Sequence, residues 1–165
     1  MKSMKRWLMR IVPGVMIAGV AGGPLGTPAL ADTGAGPLHL MVTNLQFTSF
    51  TCLNESCSLA LVPLVAEARS NLSTGVGSLQ ANLIIDFSPG GTCNIVDEPA
   101  VFIFDNGTIS THSHHEDCAT HGLRIDTTLQ VSGGTGAFAG ASGGGREFSA
   151  AAGPAPVIFN GTISF

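Results

Sequence analysis

The residues best equipped for chemistry crowd into one segment, Thr111-His-Ser-His-His-Glu-Asp-Cys-Ala-Thr-His121. It holds four of the five histidines, His112, His114, His115 and His121, beside Glu116, Asp117 and Cys118. Imidazole nitrogens suit zinc, copper or nickel, and in an extended chain His112 and His114 share a face. No H-E-x-x-H pair is present. The segment therefore reads as a solvated polar connection between strands, whose chemical use would be weak surface binding of a metal. A second chemistry, general acid–base work by a carboxylate, has Asp86, Asp105 and Asp126 as candidates. Asp86 and Asp126 alternate with apolar neighbours and are expected to meet solvent, with Arg124 as an exposed partner of Asp126. No serine sits in a G-x-S-x-G elbow, so nucleophilic hydrolysis has no support.

What compartment these groups work in follows from the first residues. Lys2, Lys5, Arg6 and Arg10 precede an apolar run from Ile11 to about Ala21, and Ala29-Leu-Ala31 offers a small-x-small cleavage site. That is the layout of a secretory signal peptide. Residues 1–31 are expected to be removed, leaving 32–165 as one secreted domain, extracellular or periplasmic. Pro13 and Gly14 break the apolar run, which falls short of the roughly 20 residues that cross a bilayer. No membrane span is expected after cleavage.

In an exported chain, an even set of cysteines favours disulfides over thiolate catalysis. Three connectivities are open to Cys52, Cys57, Cys93 and Cys118. The preferred one joins Cys52 to Cys57 across a short loop and Cys93 to Cys118 across two turns. The rival, a zinc site, is poorly served by C-x4-C followed by two distant cysteines.

The mature part keeps Arg69, Arg124 and Arg146 against all eleven acids, a formal charge of −8, and has no lysine. Such a chain is repelled by nucleic acid and by anionic membrane surfaces. The one tryptophan, Trp7, leaves with the signal and there is no tyrosine, which excludes an extended aromatic carbohydrate platform.

The elements that position these groups read as strands. Leu38, Leu40 and Val42 alternate in the first, Leu38–Phe50. Others follow over 58–69 (with Pro63 marking an edge or bulge), 78–87, 92–96, 100–111, 122–132, 146–151 and 157–165. Gly/Pro turns separate them, and no segment of the mature chain has a helical period. About eight short strands argue for an antiparallel barrel or sandwich. Ile103-Phe-Asp-Asn-Gly-Thr-Ile-Ser110 echoes Ile158-Phe-Asn-Gly-Thr-Ile-Ser164 with Asp105 as an extra residue. The echo predicts a bulge at Asp105 and a glycine kink, rather than a hairpin, at each Asn-Gly. The strand bearing Phe102 and Phe104 is apolar on both faces, which suits either a subunit interface in a homo-oligomer or a loop packed on the outer face.

A glycine-rich corner ends the cleanest strand. Gly134-Thr-Gly136 lacks the lysine of a P-loop and no helix follows, so the run is structural rather than nucleotide-binding. Val131-Ser-Gly-Gly-Thr-Gly-Ala-Phe-Ala-Gly-Ala-Ser-Gly143 resembles the GGTGxFxGAxG signature of the allene oxide cyclase and dirigent-like barrel superfamily, most closely its small exported bacterial members. The matching positions are Gly133, Gly134, Thr135, Gly136, Phe138, Gly140, Ala141 and Gly143. The resemblance implies an all-β, eight-stranded antiparallel β-barrel. In the plant relatives an apolar barrel cavity binds a hydrophobic intermediate and steers its cyclisation or radical coupling with no metal or organic cofactor. Three expectations follow. The first is an exported, non-enzymatic barrel that binds a small apolar ligand or acts structurally at the cell surface. The others are a cofactor-free cyclase or dirigent-type protein, and an exported metal binder using His112 to His121.

Overall fold

A strand that alternates apolar and polar residues must bury one face against other strands. In β1 (Gly36–Phe47), Leu38, Leu40 and Val42 are buried while His39 and Met41 face out. The computed structural model describes residues 35–88, 93–118, 125–149 and 156–165. The signal segment, His121 and Arg124 lie outside them. A two-residue β2 (Thr51–Cys52) follows, then seven longer strands. These are β3 (Leu59–Ser70), β4 (Gly77–Asp86), β5 (Cys93–Phe104), β6 (Gly107–Cys118), β7 (Asp126–Gly136), β8 (Ser142–Ser149) and β9 (Val157–Ser164).

Each long strand pairs antiparallel with the next, and β1 pairs with both β9 and β3. The sheet thus closes into an eight-stranded barrel, which leaves no long free edge; β2 extends β3 at one end. Pro63 marks the place where β3 changes partner, between Leu64, paired to β1, and Leu61, paired to β2. A residue without an N–H fits that gap. Its carbonyl is used, accepting from the Thr48 amide at 2.9 Å.

The strand count holds, but two boundaries move. Residues 93–96 and 100–104 belong to one strand, β5, and residues 111–118 of the histidine segment form the far part of β6 rather than a connection. The first Asn-Gly is a hairpin: Asp105 and Asn106 form the turn between β5 and β6, with Phe104 paired to Gly107. The kink and bulge expected there are therefore corrected. What the echo hides is that Asn160-Gly161 does stay inside a strand, β9. The bulge in this region sits at Ser132, where Ser110 pairs with Gly133 and Thr111 with Val131.

Two disulfides form, Cys52–Cys57 and Cys93–Cys118. The first closes the loop after β2. The second joins register partners at the ends of β5 and β6, so bond and sheet register hold the same corner. Both fit an oxidising compartment. Replacing Cys93 and Cys118 by serine is expected to lower stability by about 3 kcal/mol on loop-closure grounds. Urea denaturation checks it; an unchanged midpoint would mean the sheet register alone holds this corner.

The glycine-rich corner closes one end of the barrel. Phe138, 2% exposed, turns inward from the β7–β8 connection. Its ring meets Phe104 and Phe165 edge-on, with centroids 6.2 and 6.1 Å away. Leu38, Ile109 and Ile163 are buried on the surrounding strands. The corner can be this tight because Gly136 takes φ 61° and because the Cβ that Gly134 lacks would collide with the Phe138 carbonyl. The motif is a plug.

Candidate functional site

At the opposite end the described residues leave the barrel open. A cavity of about 800 Å³ runs inward from the mouth, where the chain ends of β1, β4, β6 and β8 gather. Its wall is mainly apolar, with Val42, Val62, Leu79, Leu83, Ile85 and Val157. Exposed Phe47 and Phe50 stand at the rim, and Phe50 leans on Phe87 with ring centroids 6.4 Å apart. The Cys52–Cys57 bridge follows two residues on in the chain, closing the loop after β2.

Into this apolar space the strands send a small set of polar groups. Glu98 comes from β5, His115 and Asp117 from β6, and Glu147 and Ser149 from β8. Glu98 and Glu147 are each 8% exposed. Burial pushes the Glu98 carboxyl up to about 7. It pushes Glu147 up to about 8, helped by the charge of Glu98. The two sense one another and lose their protons as a pair. Burial lowers His115, against the pull of Asp117 and with a smaller push from His114.

Four buried polar atoms in this interior, Glu147 Oε2, His115 Nδ1, Thr111 Oγ1 and Ser113 Oγ, have no hydrogen-bond partner. Leaving a buried polar group unpaired costs about 1–3 kcal/mol. Two of them, Glu147 Oε2 and His115 Nδ1, belong to residues that line the cavity, where another molecule's polar atoms would satisfy them. The carboxyl pair can hold or pass a proton near neutral pH, and His115 can accept one.

The sequence candidates fall elsewhere. His112 and His114 do share a face, the outer one, and flank Asp97. His112 Nε2 lies 2.8 Å and His114 Nδ1 3.5 Å from the same carboxylate oxygen. His115 points the other way, into the barrel, so these three do not converge. Among the described residues, the closely grouped ligand atoms are Cys93, Glu116 and Cys118, and both cysteines are tied in a disulfide. Asp86 caps its own turn, accepting from the Ser88 amide at 2.8 Å. Asp105 accepts from Ser73 at 2.8 Å, outside the barrel. Asp126 is exposed and pairs with Arg146 at 2.6 Å; Arg124, its expected partner, lies outside the described residues. The interior acids Glu98 and Glu147 were not among the expected carboxylates. Phe102 and Phe104 point inward, leaving half-buried Val101 and Ile103 on the outer face of β5.

Neither a protein-family model nor a curated protein sequence matches the chain. Among solved structures it is similar to a pterocarpan synthase dirigent protein, with a TM-score of 0.54 at 13% identity. That match covers 88% of this chain and 98% of the other. It also overlaps a pyocyanin demethylase at 12% identity with a TM-score of 0.48, covering 78% of this chain and 99% of that one. The closed eight-stranded architecture and the first likeness agree: this is a dirigent-like β-barrel.

Proposed function

We propose that the protein is an exported barrel that binds a small, largely apolar molecule in its open end. The observation that carries this reading is the cavity itself, about 800 Å³ with an apolar wall, a plugged floor and unpartnered polar groups inside. A volume of that size suits a molecule of a few hundred daltons. The aromatic rim gives such a molecule a path in from water, and two disulfides support life outside the cytoplasm.

The neutral lipophilic dye N-phenyl-1-naphthylamine tests it. Native mass spectrometry is expected to show one dye per mature chain, lost in both Val62→Trp and Leu83→Trp, each of which fills the cavity. Thermal melts confirm that these variants fold. No binding by the unaltered chain, or binding that survives both variants, would overturn the reading.

A second reading, a cofactor-free cyclase or isomerase, is favoured by one feature, the Glu98–Glu147 pair poised near neutral pH beside His115. Such a pair can give a proton at one atom of a bound intermediate and take one from another. The two readings part on the fate of the natural ligand: a binding protein returns it unchanged, whereas an isomerase returns it with the same mass and a new retention time.

A further inference from the structure

Among the described residues, the charges around the cavity are of one sign. Glu98 on β5, Asp117 on β6 and Glu147 on β8 line it, and His115 on β6 is the remaining titratable group there. No described cation answers them. Arg69 is exposed on the outer face of β3, and Arg146 lies outside against Asp126. The mature chain has no lysine to reach in. A carboxylate enclosed by apolar side chains without a counter-charge is costly, and the cost is relieved by whatever brings the missing charge. A ligand bearing a carboxylate or phosphate would add to that cost instead. Glu147 Oε2 is buried and unpartnered, so the acceptor for such a charge is already in place. Beyond these acids and His115, the polar residues of the wall, Thr43, Asn44, Ser49 and Ser149, are uncharged, and its Val, Leu and Ile side chains suit the body of a ligand.

We propose that the cavity takes a hydrophobic cation, an aliphatic or aromatic body bearing one positively charged nitrogen, with that charge seated between Glu98 and Glu147. The proposal rests on the reading of the cavity as a ligand site and names the class of ligand. Phe47 and Phe50 at the rim present ring faces that also attract a cation on its way in. No covalent step is involved. As the cation enters, the carboxyl pair gives up the protons it holds, so binding strengthens as pH rises through the range where the pair ionises. Asp117, also on the cavity wall, is a further acidic neighbour for the cation. His115, whose ionisation burial disfavours, adds no competing charge at neutral pH.

Two isosteric probes separate charge from shape: phenyltrimethylammonium, a permanent cation, and tert-butylbenzene, its uncharged counterpart. Each is titrated against bound N-phenyl-1-naphthylamine at pH 5.5 and 8.5. The cation is expected to bind at least tenfold more tightly at pH 8.5 than at 5.5, and at least tenfold more tightly than tert-butylbenzene at pH 8.5. Glu98→Gln and Glu147→Gln should each weaken the cation by about tenfold and leave tert-butylbenzene within twofold. Equal binding of the two probes at both pH values would overturn the cation while leaving the cavity in use. Failure of both to displace the dye would do the same. If the dye itself does not bind, the cavity reading falls first and the cation with it.

Discussion

Replacing Phe138 by alanine is expected to cost about 3–5 kcal/mol, the range for removing a fully buried phenylalanine. The side chain is 2% exposed, and its ring is the middle member of a three-ring contact with Phe104 and Phe165. Those partners come from the end of β5 and from the chain terminus, so the loss is felt by strands far apart in sequence. Little can move in to fill the gap, because the corner that carries Phe138 is fixed by glycines already in backbone contact with their neighbours. For a domain whose total stability is roughly 5–15 kcal/mol, that is a large fraction. Phe50→Ala supplies the contrast. Phe50 is 57% exposed at the open end, and its loss is expected to stay within about 0.5 kcal/mol. Urea denaturation with unchanged slope measures both. A cost below about 1 kcal/mol for Phe138→Ala would show that the corner does not plug the barrel.

The same corner explains why the fold was readable and the site was not. Strand alternation in 38–42 and 125–131 survives intact in the structure, since a closed barrel rewards strict inside–outside parity. The glycine signature reads correctly because its constraint is local: close backbone approach admits no side chain. The site is built the other way, from residues that break the local pattern. Val96, Glu98, Ala100, Phe102 and Phe104 form one inward series at every second position, yet Pro99 and the neighbouring acids make 97–99 look like a turn. That proline falls where the pairing with β4 is interrupted, between Ala100 opposite Ala81 and Asp97 opposite Ile84, a place where a residue without an N–H is tolerated. In β8, Phe148 invites the parity that puts it inside. The structure leaves Phe148 37% exposed and buries Glu147. A hydrophobic residue facing out beside an acid facing in is legible only once the register with β7 and β9 is known. The histidines divide for a related reason. Their density suggests one set, but in a strand the His114-His115 pair must split between faces, and it does.

The burial of Glu98 and Glu147 has a consequence for stability that can be read without any ligand. Their carboxyls rise from an ordinary value near 4.5 to about 7 and about 8 in the folded chain. Between pH 4.5 and 8 the native protein therefore keeps protons that the unfolded chain has released. Because the native state binds more protons in this window, stability falls as pH rises. The contribution is fully present below about 4.5 and is gone above the folded values. One pKa unit corresponds to about 1.4 kcal/mol, and because the two acids share one titration the combined effect amounts to a few kcal/mol rather than the sum of two independent shifts. His115 runs in the opposite sense, since its lowered value withdraws stability as the unfolded imidazole charges on the acid side. A comparison of variants at each pH removes that contribution along with every surface charge. Glu147→Gln keeps the shape and abolishes the ionisation. It is expected to match the unaltered protein within about 1 kcal/mol at pH 5.5 and to exceed it by a few kcal/mol at pH 9, a rise in melting temperature of roughly 10 °C. Glu98→Gln should behave alike, and the double variant should gain less than the two gains added, because removing one acid already relieves the other. Parallel pH profiles for the variant and the unaltered chain would mean that water reaches these carboxyls freely. The polar wall of the cavity would then be part of its mouth.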